Sequence, residues 1–200
     1  MQPVSSGSRA RVPPASLRHA PLVLLASMLV VGLALDHTAI WVLLSSLGEE
    51  LAYVGLTLAI AYLVSPEVGL LALASILLSG TTNVLLKYLL NVPRPPPELW
   101  RAPASGPGLP SGHAQVSSTF WSTLSLATGS RYAAALGAMV VASVAASRVA
   151  LRVHSVYDVL AGVALGLLIS LATTRLAGSA PPGRMLLVLS TPTVLLSFAN

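Results

Sequence analysis

His154 and Asp158 stand four residues apart, six residues beyond Arg148, in a stretch from Ser147 to Asp158 set in an otherwise apolar background. On a helix that spacing places the imidazole and the carboxylate on one face. A carboxylate bonded to one ring nitrogen fixes the tautomer and leaves the lone pair of the other nitrogen free to attack phosphorus. Arg148 adds a guanidinium, whose planar fork matches the oxygens of a phosphate. Two further polar islands lie upstream, Lys87 to Arg94-Pro95 and Pro110-Ser111-Gly112-His113. Together they supply one ammonium, two guanidiniums, a hydroxyl, two histidines and a carboxylate, a set that calls for a tetrahedral dianion.

Each member has an expected role. Ser111 reads as the N-cap of a helix and Gly112 as the residue that lets backbone approach closely, so that free amides and the positive helix end face the anion. His113 is expected to protonate the leaving oxygen and later take a proton from water. Lys87, Arg94 and Arg148 would spread the charge of the transferring group. No metal and no cofactor is expected, because one carboxylate among three cations repels a divalent ion.

The elements that must position these groups are membrane helices. Of the 200 residues, 54% are hydrophobic and 8% charged, mean hydropathy is +0.81, and the apolar residues fall in long runs. That composition indicates an integral membrane protein. There is no cysteine, which excludes disulfides, thiolate chemistry and cysteine-ligated zinc. The net charge of +5 comes from singly scattered residues at the ends of apolar runs, a pattern of topology and anion binding rather than of nucleic-acid recognition. Lys87 is the only lysine beside ten arginines.

Six spans are expected, at about 20–35, 50–64, 68–90, 112–128, 131–152 and 155–174. The fold class is therefore all-α, a polytopic six-helix bundle. A basic cytoplasmic tail is expected over 1–19, the helical domain over 20–176 and a C-terminal tail over 177–200. The first apolar run is read as a retained span, not a cleaved leader. Thr38 to Leu47 reads as an interfacial helix with Trp41 at headgroup level. The apolar stretch from Met185, interrupted by Pro192, reads as a surface or docking segment rather than a seventh crossing. The connection from Asn91 to Pro110 carries seven prolines and is expected to be stiff, extended and non-helical. Arg9, Arg11, Arg18, Arg131, Arg175 and Arg184 fall on one side if six helices alternate, which makes that side cytoplasmic and opens the polar islands outward.

The three islands resemble the signature of the type 2 phosphatidic acid phosphatase superfamily: Lys-x6-Arg-Pro at Lys87 to Pro95, Pro-Ser-Gly-His at Pro110 to His113, and Ser-Arg-x5-His-x3-Asp at Ser147 to Asp158. The resemblance covers about 68–174. It implies His154 as a phosphohistidine-forming nucleophile, Asp158 as its partner, His113 as general acid and base, and Lys87, Arg94, Ser111, Gly112 and Arg148 on the phosphate. It also implies six helices, an outward-facing site and metal-free removal of phosphate from a membrane lipid phosphate or polyprenyl diphosphate. Lipid phosphotransfer through the same intermediate, and an anion channel using the same arginines, are the competing readings.

The remaining polar residues have plainer readings. Arg152 is expected at the rim, and His19 and His37 at the membrane interface. Glu98 and Arg101 are solvated or touch a headgroup. Glu49 and Glu50 suit the positive end of a helix dipole. Asn83 is read as glue between helices, Ser147 as a packing or hydrogen-bonding residue, and Gly55, Gly69, Gly80, Gly137, Gly162 and Gly166 as close helix contacts.

Overall fold

The computed structural model describes residues 15–178, with side chains from residue 19 onward. The readings made on Arg9, Arg11, Arg184 and the stretch from Met185 lie outside the described residues, as does the side chain of Arg18. Within them the chain forms α1 (Ala15–Leu35), α2 (Thr38–Ser46), α3 (Glu50–Leu63), α4 (Pro66–Leu90), a single 3₁₀ turn (Pro97–Leu99), α5 (Gly112–Thr128), α6 (Arg131–Ala150) and α7 (Val156–Ala177), with no strand among them.

The helix boundaries follow local chemistry. Ser65 Oγ accepts from the amide of Val68, with Pro66 as the first helical residue, and this starts α4. Asn91 ends that helix in the left-handed region at φ 45°. Gly129, at φ 64°, ends α5, and Ser130 Oγ caps α6 through the amide of Ala133 at 3.1 Å.

Helices α4, α6 and α7 have 25, 20 and 22 residues with mean hydropathies of 1.8, 1.7 and 1.9. At 1.5 Å per residue they reach about 30 Å or more, enough for a bilayer core. Helices α2 and α3 meet at a 40° bend and pass the same test as a pair. Among the described residues, length and composition alone thus mark three or four crossings. Helix α5 falls short for a physical reason: it packs against α3, α4, α6 and α7, meets little lipid, and carries Gln115, Ser117, Ser118, Thr119 and Thr123 in the interior.

Exposure is inverted relative to a water-soluble fold. Val23, Leu24, Leu33, Leu63, Leu89 and Leu168 face outward, while Ser75, Ser79, Thr119 and Thr173 are fully buried. Without water to expel between helices, association relies on close packing and interhelical hydrogen bonds. Ser75 and Thr173 share such a bond at 2.8 Å between α4 and α7. A Cβ on Gly162 would lie 2.6 Å from the carbonyl of Ser111, and one on Gly166 2.5 Å from that of Gln115, so these glycines bring α7 directly onto α5. Gly69 and Gly137 make similar approaches to Ala61 and Trp121, and Gly80 leaves room for the Glu50 carboxylate. Gly55 has nothing among the described residues within 4 Å of a built Cβ, so the packing role expected for it is not found there.

Trp41 also departs from expectation. It is 2% exposed and packs with Leu44, Leu151 and Val153, its ring against Gly32, instead of standing at an interface. Asp36, at φ 44°, turns α2 back toward α6, and the indole then donates to its carboxylate at 3.1 Å.

Candidate active site

His154 lies in the short connection between α6 and α7, one residue before the N-cap Ser155. It is not on a helix with Asp158, which corrects the reading that placed both on one helical face. What joins them is a capping box: Ser155 Oγ accepts from the amide of Asp158 at 3.2 Å, and Asp158 Oδ2 accepts from the amide of Ser155 at 2.8 Å. The same Oδ2 accepts from His154 Nδ1 at 3.3 Å. The proton therefore belongs on Nδ1, and Nε2, which accepts from Arg94 Nη1 at 2.8 Å, carries the lone pair. His154 is 3% exposed, and burial, reinforced by Arg94, Arg148 and Lys87, pushes its ionisation down to about 2. The ring is neutral across the physiological range.

The proline-rich connection is non-helical apart from one 3₁₀ turn, but it is folded over the site rather than extended. The amide of Gly108 bonds to the carbonyl of Val92 at 2.7 Å, and that of Arg101 to the carbonyl of Leu151 at 2.9 Å. Arg94 Nε and Nη2 donate to the carbonyls of Gly106 and Ser105, both at 2.9 Å, and Nη1 reaches the carbonyl of Val153 at 2.7 Å as well as His154. Lys87 Nζ donates to the carbonyl of Pro107 at 2.6 Å, within electrostatic range of Arg94, Arg148 and Asp158. Both cations thus stand at the site with loop carbonyls as their partners. For Nε2 to act as a nucleophile Arg94 Nη1 would have to leave it, while Nε and Nη2 can keep the guanidinium in place. Arg101 pins the loop to Asp36 with bonds of 2.7 and 2.8 Å rather than serving a headgroup. That contact and the Trp41 indole hold the Asp36 carboxyl below its ordinary ionisation range.

Ser111 is the N-cap of α5 by position, yet its hydroxyl makes no capping bond. The hydroxyl is fully buried and without a partner among the described residues. An unpartnered buried hydroxyl is costly unless something accepts its proton, and an anion at the α5 N-terminus would do so. The Ser111 amide bonds to the carbonyl of Asp158 at 2.9 Å, tying the starts of α5 and α7 together. Arg148 is 7% exposed. Its Nη1 donates to Ser45 Oγ at 2.8 Å and its Nε is buried without a partner among the described residues. Arg152, at φ 58°, turns the chain between α6 and His154 and points outward, as expected of a rim residue.

Gly112 rests on Asn83, whose Oδ1 lies 3.2 Å from a built Cβ. Asn83 Nδ2 donates to Gln115 Oε1 at 2.8 Å and to the carbonyl of Pro110 at 3.3 Å. Gln115 Nε2 in turn reaches the carbonyl and hydroxyl of Ser79 at 2.9 and 3.2 Å. Asn83 is helix glue, as read, and it also supports the Pro-Ser-Gly-His segment from below. Gln115→Leu strips partners from two buried groups and is expected to cost about 1–3 kcal/mol. Thermal unfolding in detergent should show the loss, together with reduced turnover. An unchanged midpoint would place the network outside the stability of this segment.

Sequence reasoning missed three contributors. Ser155 escaped notice because it looks like an ordinary cap. Ser45, on α2, and Glu49, before α3, come from a corner distant in sequence, and the Glu49 Oε1 lies 3.2 Å from His113 Nε2. Glu49 is the N-cap of α3 by position, as the helix-dipole reading has it, but its side chain makes no capping bond and reaches His113 instead. The available signal was polar residues beside an acid at the same helix ends as the islands.

Taken together, these residues form a polar cluster at one end of a helical bundle, built around a carboxylate-held histidine. The family model described as the PAP2 superfamily matches residues 68–180, more than half the chain, and the protein belongs to that superfamily. Among solved structures, the first transmembrane PAP2 type phosphatidylglycerolphosphate phosphatase from Bacillus subtilis superimposes with a TM-score of 0.61 at 19% identity, covering 83% of this chain and 88% of that one. At that identity the likeness establishes the membrane PAP2 fold. No curated protein sequence matches the chain.

Proposed function

We propose that the protein is a metal-independent phosphatase that hydrolyses a lipid phosphate or polyprenyl diphosphate at the non-cytoplasmic membrane face through a phosphohistidine. The observation that carries this reading is the buried His154, whose Nδ1 meets the Asp158 carboxylate at 3.3 Å while Nε2 meets Arg94 Nη1 at 2.8 Å, within electrostatic range of Arg148 and Lys87. In the first step His154 Nε2 forms the N–P bond as the bond from phosphorus to the leaving oxygen breaks. His113 gives that oxygen its proton. In the second step His113 takes a proton from water, the water oxygen bonds to phosphorus, and the N–P electron pair returns to Nε2. Arg94, Arg148, Lys87, Ser111 Oγ and the first amides of α5 stabilise the three equatorial oxygens.

Six crossings with this face outward are part of the proposal. Asp36 at the end of α1, Glu49 before α3, Lys87 near the end of α4, His113 at the start of α5, Arg148 near the end of α6 and His154 before α7 share one end of the bundle, as six alternating helices require. Arg131 and Arg175 lie at the opposite end, which supports a cytoplasmic assignment there.

The test uses the full chain in detergent with EDTA and a panel of lipid phosphates and diphosphates. Phosphate release should persist in EDTA, be blocked by vanadate, and pass through a phosphoenzyme that is stable to base and labile to acid. Dependence on added divalent metal, or an intermediate with the opposite stability, would overturn the mechanism.

A further inference from the structure

We infer that Glu49 is the positioning residue for His113, giving the acid–base histidine a carboxylate of its own as Asp158 does for His154. This rests on the phosphoryl-transfer reading above and adds to it a residue that lies outside the matched segment 68–180. Glu49 Oε1 is 3.2 Å from His113 Nε2, and the corner carrying it is pressed onto the ring. A Cβ at Gly48 would fall 3.0 Å from His113 Cβ, 3.2 Å from its Cδ2 and 2.8 Å from Val144 Cγ1, so only glycine lets the chain run this close. One turn earlier Ser45 Oγ holds Arg148 Nη1 at 2.8 Å. Two independent contacts thus dock the α2–α3 corner, one on the acid–base histidine and one on a phosphate-binding arginine.

The chemistry gives the pairing a purpose. With Nε2–H donated to Glu49, the nitrogen left to exchange a proton with the leaving oxygen is Nδ1. The two histidines are therefore held by opposite nitrogens: His154 by Nδ1 with Nε2 reactive, His113 by Nε2 with Nδ1 reactive. The charged groups that face His113 are Arg148 on α6, Arg94 on the loop and Glu49 on the corner, and neutral His154 lies nearby. Two of these are cations that oppose an imidazolium. Glu49 is the counter-charge that lets the ring carry the proton it must deliver. A cavity of about 310 Å³, lined by Glu49, His113, Arg148, Ser45 and Pro103, opens beside this pair and can receive the departing group.

A group that serves proton delivery matters in proportion to how much the leaving oxygen needs the proton. An alkoxide needs it; a nitrophenolate does not. Full-length wild type, Glu49→Gln, Glu49→Asp and His154→Ala should be assayed in detergent with a long-chain alkyl phosphate and with p-nitrophenyl phosphate, reading kcat/KM, which reports the chemistry through loss of the leaving group. Acid catalysis is worth about 10² to 10⁴-fold, and Glu49→Gln is expected to forfeit roughly 30-fold of it on the alkyl phosphate but only about 3-fold on the aryl phosphate. Glu49→Asp, which keeps the charge, should recover part of the alkyl activity. Equal losses on both substrates, no loss on either, or no recovery in Glu49→Asp would overturn the role of Glu49. Turnover that survives His154→Ala would instead overturn the phosphohistidine reading on which it rests.

Discussion

His154→Gln is expected to abolish phosphate release, by on the order of 10⁴-fold or more, in a protein that still folds. Removing a nucleophile eliminates the covalent route, whereas removing a group that only binds phosphate slows it. Glutamine keeps much of the volume of a side chain that is 3% exposed, and its amide can still accept from Arg94 and donate to Asp158. Stability should also change its dependence on pH. The folded ring takes a proton only near pH 2, driven there by burial and then by Arg94, Arg148 and Lys87, while an unfolded histidine does so near 6.5. His154 in its neutral form thus stabilises the fold above about pH 6.5, and the wild type loses that contribution progressively as pH falls below it. At pH 5 the loss amounts to about 2 kcal/mol, and glutamine does not incur it. Melting in detergent at pH 7 and pH 5 should therefore show a steeper drop for the wild type than for His154→Gln. Parallel pH slopes would contradict the neutral buried ring, and residual turnover near wild type would contradict its role as nucleophile.

Much of the site was legible because its residues are chemically conspicuous in an apolar chain. A lysine, two arginines, two histidines and an aspartate at ends of long hydrophobic runs have few structural explanations, and alternation of helices already brings those ends together. The contacts that join them were less legible. His154 and Asp158 were paired correctly, but through helical spacing, whereas a capping box at Ser155 makes the contact. Both arrangements have the same four-residue separation, and local spacing does not distinguish a helix from the turn that starts one.

Long-range contacts were harder still. Nothing near Glu49 announces a histidine 64 positions away, and a helix-dipole role accounts for an acid before α3 equally well. Trp41 was misplaced for a related reason. An aromatic beside a turn suits a membrane interface, yet the close approach allowed by Gly32 and the backbone turn at Asp36 bury it. The proline-rich loop was read correctly as non-helical, but its fold over the site depends on carbonyls meeting Lys87 and Arg94, and backbone acceptors leave no mark in side-chain composition. The number of crossings was blurred in the other direction: α5 is central, and central position permits the polar residues that lower its hydropathy.

The capping box also yields a separation of stability from chemistry. Asp158→Asn should lower turnover by roughly 10³ to 10⁴-fold while costing little stability, because an amide oxygen can still accept from the amide of Ser155 but cannot supply the charge that supports the imidazolium-like ring as it takes phosphate. Ser155→Ala should do the reverse. It removes the hydroxyl that accepts from the Asp158 amide and costs about 1 kcal/mol, yet it keeps the Ser155 amide that holds Asp158 Oδ2, so the carboxylate stays beside His154 and turnover falls only severalfold. The comparison needs kcat and thermal unfolding on the two variants side by side. If both lose turnover alike, the Asp158 carboxylate acts by holding the start of α7, and the polarised histidine is not what drives attack.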